Sequence, residues 1–204
     1  MFTIGTPEFQ DCESLELDVF FSATEKNTCF LIGLNNIVMK MNAKYFIDKL
    51  GLIRHPEGGY FKEIYRSEEI IARESLPKRY DGERNVSTSI FYLLEDDDFS
   101  AFHRLKSDEI WHFYAGTSAT VYCIDENGIL TEIILGDNMD NNESFQVIIS
   151  KGTWFAARIN EPYSFVLMGC TVAPGFNFSD FELGNKEEML ALFPEHENLI
   201  PSLT

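Results

Sequence analysis

Between Gly51 and Ala173 the chain is written in short apolar or alternating runs, each closed by a group of turn-forming residues. That is the rhythm of strands in a sandwich or barrel. The pattern predicts strands over 60–66, 88–94, 100–105, 109–114, 118–125, 131–135, 145–149, 154–158 and 164–171, enough for two packed sheets. Asp96-Asp97-Asp98, Glu126-Asn127-Gly128, the stretch 136–142 and Ser150-Lys151-Gly152 supply the turns between them. Asn127-Gly128, set between two such runs, reads as a hairpin turn. Helical signals stand only at the flanks. Asn42 caps a short helix over 42–50, with Tyr45, Phe46 and Leu50 on one face and Gly51 as a left-handed stop. Asn185 with Glu188 three residues on opens a second helix over 186–193, halted before Pro194. The expected fold class is all-β with short flanking helices.

Residues 1–40 show neither period and are expected to be an N-terminal extension, either a loose, disordered arm or a gene-model artefact ahead of a start at Met39 or Met41. Residues 41–204 then form a single domain. A chain of 204 residues that is 45% apolar and 14% aromatic has ample core material. Its 33 acidic against 16 basic residues leave a formal charge of -17, which disfavours nucleic acid and anionic membrane surfaces as partners. A small anion stays compatible, because a few arginines inside a pocket outweigh the outer field at contact distance. The longest apolar stretch, 29–41, is broken by Gly33, Asn35, Asn36 and Lys40 and is too short to cross a membrane. No secretory progression opens the chain, so the expected location is cytoplasmic. Cys12, Cys29, Cys123 and Cys170 are widely and irregularly spaced, which fits reduced thiols rather than a zinc or redox motif.

The densest polar cluster among the predicted strands runs from Ser100 to Gly116. It resembles the first motif of the cupin superfamily, a His-x-His followed by Glu and then Gly: His103, Glu109 and Gly116 fit, whereas Leu105 stands at the second histidine. Of the second cupin motif only Gly152 matches, and Phe155 takes the place of the last ligand. A wider set is similar to one group, the Cupin_5 family (DUF985): His55-Pro-Glu-Gly-Gly-Tyr60-Phe61, the 103–116 block, Gly152-Thr-Trp154-Phe155-Ala-Ala, and Gly169 to Phe176 followed by Asp180-Phe181-Glu182. The resemblance implies a double-stranded β-helix, the cupin jelly-roll barrel, paired as a homodimer around a small-molecule pocket whose natural ligand it does not name.

Two chemistries are open to His103 and Glu109. As the start of a divalent-metal site the pair lacks a third ligand, since strand alternation puts Glu109, Trp111 and Phe113 on one face and His112 on the other unless a bulge intervenes. His55, ahead of Pro56, reads as an extended residue entering a turn. Without a metal, the imidazole and the carboxyl form an acid/base pair suited to moving a proton next to a carbonyl, with Tyr60, Tyr92 or Tyr114 as a further acid. No cofactor is certain. Tyr60, Trp111, Gln146, Trp154, Phe155 and Phe176, with Phe178, are the expected ligand-binding wall, and Arg66, Arg104 or Arg158 would meet an anionic group. Gly58-Gly59 is no phosphate cradle, because a strand and not a helix follows. The leading expectation is a small polar or sugar-like ligand and a metal-independent isomerase or epimerase. A metal-dependent oxygenase or isomerase, and a non-catalytic binding or storage protein, are the alternatives.

Overall fold

The computed structural model describes residues 42–204; the expected N-terminal extension lies outside the described residues. Helix α1 (Ala43–Leu50) begins where the Asn42 side chain accepts a hydrogen bond from the Tyr45 N–H at 2.9 Å, and it ends at Gly51 in the left-handed conformation. Thirteen strands follow: β1 (Ile53–Arg54), β2 (Tyr60–Arg66), β3 (Ile70–Ile71), β4 (Arg84–Asn85), β5 (Thr88–Glu95), β6 (Phe99–Leu105), β7 (Asp108–Gly116), β8 (Ala119–Ile124), β9 (Leu130–Leu135), β10 (Gln146–Ile149), β11 (Trp154–Ile159), β12 (Phe165–Ala173) and β13 (Phe181–Leu183). Helix α2 (Lys186–Leu192) closes the regular elements, with Asn185 as its cap. All nine runs expected from the sequence are strands, with ends shifted by no more than two residues. The four unforeseen strands are two or three residues long, too short to carry a period.

A six-stranded sheet runs in the order β1-β2-β5-β12-β7-β10 and a five-stranded one in the order β13-β6-β11-β8-β9. Every pairing within both is antiparallel. The inward side chains of both sheets form one buried layer that includes Tyr92, Trp111, Val121, Phe155, Met168 and Cys170. Each sheet is also covered on its outer side. Helix α1 packs Phe46, Ile47 and Leu50 against Leu93 and Leu167, while α2 and the C-terminal turn bring Met189, Ile200 and Leu203 onto Phe102, Trp154 and Ala156. This is the all-β architecture of the cupins, with both flanking helices in place.

Three strands break the strict alternation of faces. In β6, Ala101 and Phe102 together oppose Ala156 of β11, so one extra residue lies between Ser100 and His103. In β2 the extra residue is Ile64, between Glu63 and Tyr65, and in β7 it is Tyr114. Such a bulge reverses which side chains point inward beyond it. Ser100 and His103 therefore face the same side, as do Glu63 and Arg66, although each pair is three residues apart. The β7 bulge falls after His112, which stays on the outer face, hydrogen-bonded to Thr171 and Gln146.

Beyond β12 the chain turns through Pro174 to Phe181, and a buried ion pair fixes that return. The Arg84 guanidinium donates to both carboxylate oxygens of Asp180, and both side chains are almost wholly buried.

Candidate functional site

The segment His55-Pro-Glu-Gly-Gly folds as a tight turn between β1 and β2. The His55 N–H donates to the Gly59 carbonyl at 3.1 Å, and the Gly58 N–H to the His55 carbonyl at 3.1 Å. Gly58 and Gly59 have φ of +116° and +64°, and a Cβ on either would collide with the backbone carbonyls of Phe99 and Leu93. Only glycine lets the turn lie so close to β5 and β6. The Ala101 N–H pins it by donating to the Glu57 carbonyl at 2.8 Å, and the Tyr92 hydroxyl by donating to the Gly58 carbonyl at 3.0 Å. The Glu57 carboxylate is thereby delivered into the space between the sheets.

There it meets His103. Glu57 Oε2 lies 3.2 Å from His103 Nε2, and Oε1 accepts from the Ser100 hydroxyl at 3.0 Å. On its other side the imidazole sets Nδ1 2.7 Å from the Ala101 carbonyl. A carbonyl only accepts, so Nδ1 carries a proton. His103 Nε2 and the Glu57 carboxylate form a close pair, which becomes an ion pair whenever the imidazole takes a second proton. Phe155 packs behind the ring at 4.0 Å between centroids. His55 has the opposite tautomer: its Nδ1 accepts from the Glu57 N–H at 3.3 Å, leaving its own proton on Nε2. Burial lowers its proton affinity, the Glu57 charge working against the shift and His103 adding to it.

Glu109, inward on β7, is 7% exposed and opens onto the same space. Burial first, and the Glu57 charge second, push its pKa up to about 8. The Trp111 indole and the Cys170 thiol lie toward the carboxyl and favour its ionised form a little, but neither closes a hydrogen bond. The Trp111 Nε1 is fully buried and unpartnered among the described residues.

These groups share a cavity of about 290 Å³. Its inner wall is Ile90, Leu105, Cys170 and Val172, and its mouth holds Phe61, Phe176, Phe178 and Phe181. Of the residues singled out from the sequence, His103, Glu109, Arg66, Phe176 and Phe178 line it. The others lie elsewhere. Trp111 and Phe155 are inward but sealed into the core behind the cavity. Tyr60 and Trp154 point to the outer faces, under α1 and α2, each with a guanidinium over its ring: Arg54 at 4.0 Å and Arg104 at 4.5 Å. Gln146 is exposed on the edge strand. Arg104 and Arg158 are bonded to Glu182 and Ser202, away from the cavity. The Tyr92 hydroxyl is spent on Gly58, and Tyr114 is half exposed outside.

Glu57 escaped the sequence reading, and His55, weighed there as a third metal ligand, was read instead as an extended residue entering a turn. The pair of glycines ahead of a strand was the available signal, since it marks a close backbone approach that aims its neighbours.

The donors do not fit a cupin metal centre. Leu105 and Phe155 supply hydrocarbon at two ligand positions, and both His103 nitrogens are engaged by Ala101 and Glu57. Among the described residues no three His, Cys, Asp or Glu side chains gather as a metal site. The incomplete set His103 and Glu109 thus gains no third member.

Two antiparallel sheets over a cavity with an inward histidine and a glutamate six residues on define a cupin. The family described as Cupin_5, Cupin superfamily (DUF985), matches residues 44–184, and the chain belongs to it. The chain is 30% identical over 148 residues to "Uncharacterized protein YML079W" of Saccharomyces cerevisiae, covering 68% of this chain and 73% of that protein. The crystal structure of protein SO0799 from Shewanella oneidensis superposes with a TM-score of 0.72 at 40% identity, over 80% of this chain and 98% of that one. A hypothetical protein from Leishmania major gives 0.72 at 28% identity, over 80% and 99%. Among the described residues no helix is long and apolar enough to cross a membrane.

Proposed function

We propose that the two sheets close as a cupin jelly roll around a cavity that binds a small polar or sugar-like molecule and moves a proton within it, as a metal-independent isomerase or epimerase. One observation carries this reading: two proton-holding groups of different kind face one cavity. Glu109 has its proton affinity raised to near neutrality, where a general base works best. His103 Nε2, set against the Glu57 carboxylate, is the group placed to lend a proton. Ionised Glu109 takes the proton from the carbon next to a substrate carbonyl, the C–H electrons form the new C=C bond, and His103 Nε2 gives its proton to the carbonyl oxygen. The product is a neutral enediol; Glu109 then gives its proton to the neighbouring carbon, the C=C electrons form that C–H bond, and His103 Nε2 takes the proton of the other hydroxyl as its carbonyl forms, which completes the isomerisation. Between the steps Glu57 and neutral His103 oppose lone pairs, which favours taking the proton back.

Solvent exchange tests this reading. Small ketoses and aldoses incubated with the protein in D2O should take up deuterium at the carbon beside the carbonyl, seen by proton NMR. His103→Ala and Glu109→Gln should each slow the exchange by about 10²-fold or more while the sheets remain folded. Exchange unchanged in both variants would remove the catalytic assignment, and ligand retained with no exchange at all would make the protein a binder.

The same reading takes the chain as a homodimer. Supporting it, Ile148 of β10 is 67% exposed and stands opposite Ile110 on the outer face of the six-stranded sheet. Sedimentation equilibrium should give a dimer, and Ile148→Glu a monomer.

A further inference from the structure

The cavity offers an anion no free cation. Arg66 is the one arginine among its lining residues, and its guanidinium is fully engaged: Nε and one terminal nitrogen donate to Glu63 at 3.0 and 2.6 Å, and the other donates to Asn85 and the Phe176 carbonyl at 2.9 and 3.0 Å. It is a strut between β2 and the 174–178 return. The sequence expectation places Arg66 against an anionic ligand; here it lines the cavity with its donors already paired. His55 Nδ1 accepts from the Glu57 N–H, and His103 Nε2 is set against the Glu57 carboxylate at 3.2 Å.

Beside the His55 Nε2–H, the cavity's unpaired polar group is the Glu109 carboxyl. Glu109 is more than nine-tenths buried, opens on the cavity, and receives no hydrogen bond from any other described residue. A carboxyl in that setting lacks the donors that water would supply. Phe61, Phe176 and Phe181 stand round the same space, and a phenyl face attracts a cation. The formal charge of -17 concentrates cations at the surface and disperses anions.

We infer that the ligand carries an ammonium group, seated against the Glu109 carboxylate among these phenyl rings. This rests on the proposed function only for the location of the site, and it narrows the small polar ligand to an amine-bearing one. An ammonium donates up to three hydrogen bonds and draws the proton off Glu109 by favouring its ionised form, whereas a carboxylate or phosphate in the same place would be opposed by the Glu57 charge and would hold Glu109 protonated.

Three probes of one shape decide the matter: cyclohexylamine, cyclohexanol and cyclohexanecarboxylate, each titrated calorimetrically into the full chain at pH 7 and fixed salt. The amine is expected to bind about tenfold or more tightly than the alcohol, and the carboxylate not at all. In Glu109→Gln, an isosteric change checked for folding by circular dichroism, the preference for amine over alcohol should shrink to about threefold or less. Carboxylate binding as tight as amine binding, an amine preference that survives Glu109→Gln, or no amine binding at millimolar concentration would each overturn the inference. Amine binding without deuterium exchange would remove the isomerase and keep the charge assignment; exchange into neutral sugars with no amine preference would do the reverse.

Discussion

Glu109 couples the cavity to the stability of the fold. Its pKa rises from the ordinary 4.5 to about 8 in the folded chain, so the folded state keeps a proton that the unfolded state releases. The stabilisation is complete below about pH 4.5 and is lost as the pH climbs through 8. His55, with its affinity lowered by burial, acts in the opposite sense and costs stability as the pH falls below about 6.5. Urea melts of Glu109→Gln should therefore match the parent near pH 5 and exceed it near pH 9, by an order of a few kcal/mol. An unchanged pH profile in the variant would show that Glu109 does not hold its proton as described. His103 and Glu109 were legible in the sequence because spacing along neighbouring strands is a local property. Glu57 was not, since its role depends on a turn pressed against β5 and β6 from more than thirty residues away. The aromatic wall was misjudged for another reason. Trp154 and Tyr60 sit on strands covered on both sides, and a large ring is equally at home under a helix or between sheets.

The strands themselves could be read from alternation, and their pairing partners could not. A bulge adds no distinctive residue type: Ile64, Ala101 and Tyr114 look like any strand position, so a reading with a period of two misassigns faces beyond each. The site depends on two of these interruptions, which turn Ser100 with His103, and Glu63 with Arg66, toward one cavity. The 55–59 turn is the third requirement. Gly58→Ala is expected to cost about 2 kcal/mol or more, because the left-handed backbone and the Phe99 carbonyl both oppose a Cβ. Relief of that strain would move the turn and separate Glu57 from His103, so ligand binding should weaken along with the melting temperature. A variant that loses stability but binds normally would show that the turn supports the fold without arranging the cavity.

At the scale of the molecule, the short helices cover part of each sheet's outer face, and the space between the sheets opens through an acidic, phenyl-lined mouth. Leu105 and Phe155 give this space hydrocarbon where a cupin metal would look for nitrogen. Dialysis against EDTA is accordingly expected to leave both ligand binding and the melting temperature unchanged; a loss of either, restored by one divalent ion, would contradict the donor set. If both survive, the cavity relies on its own carboxyl and imidazole groups, and its occupancy would follow the supply of ligand rather than the supply of an ion.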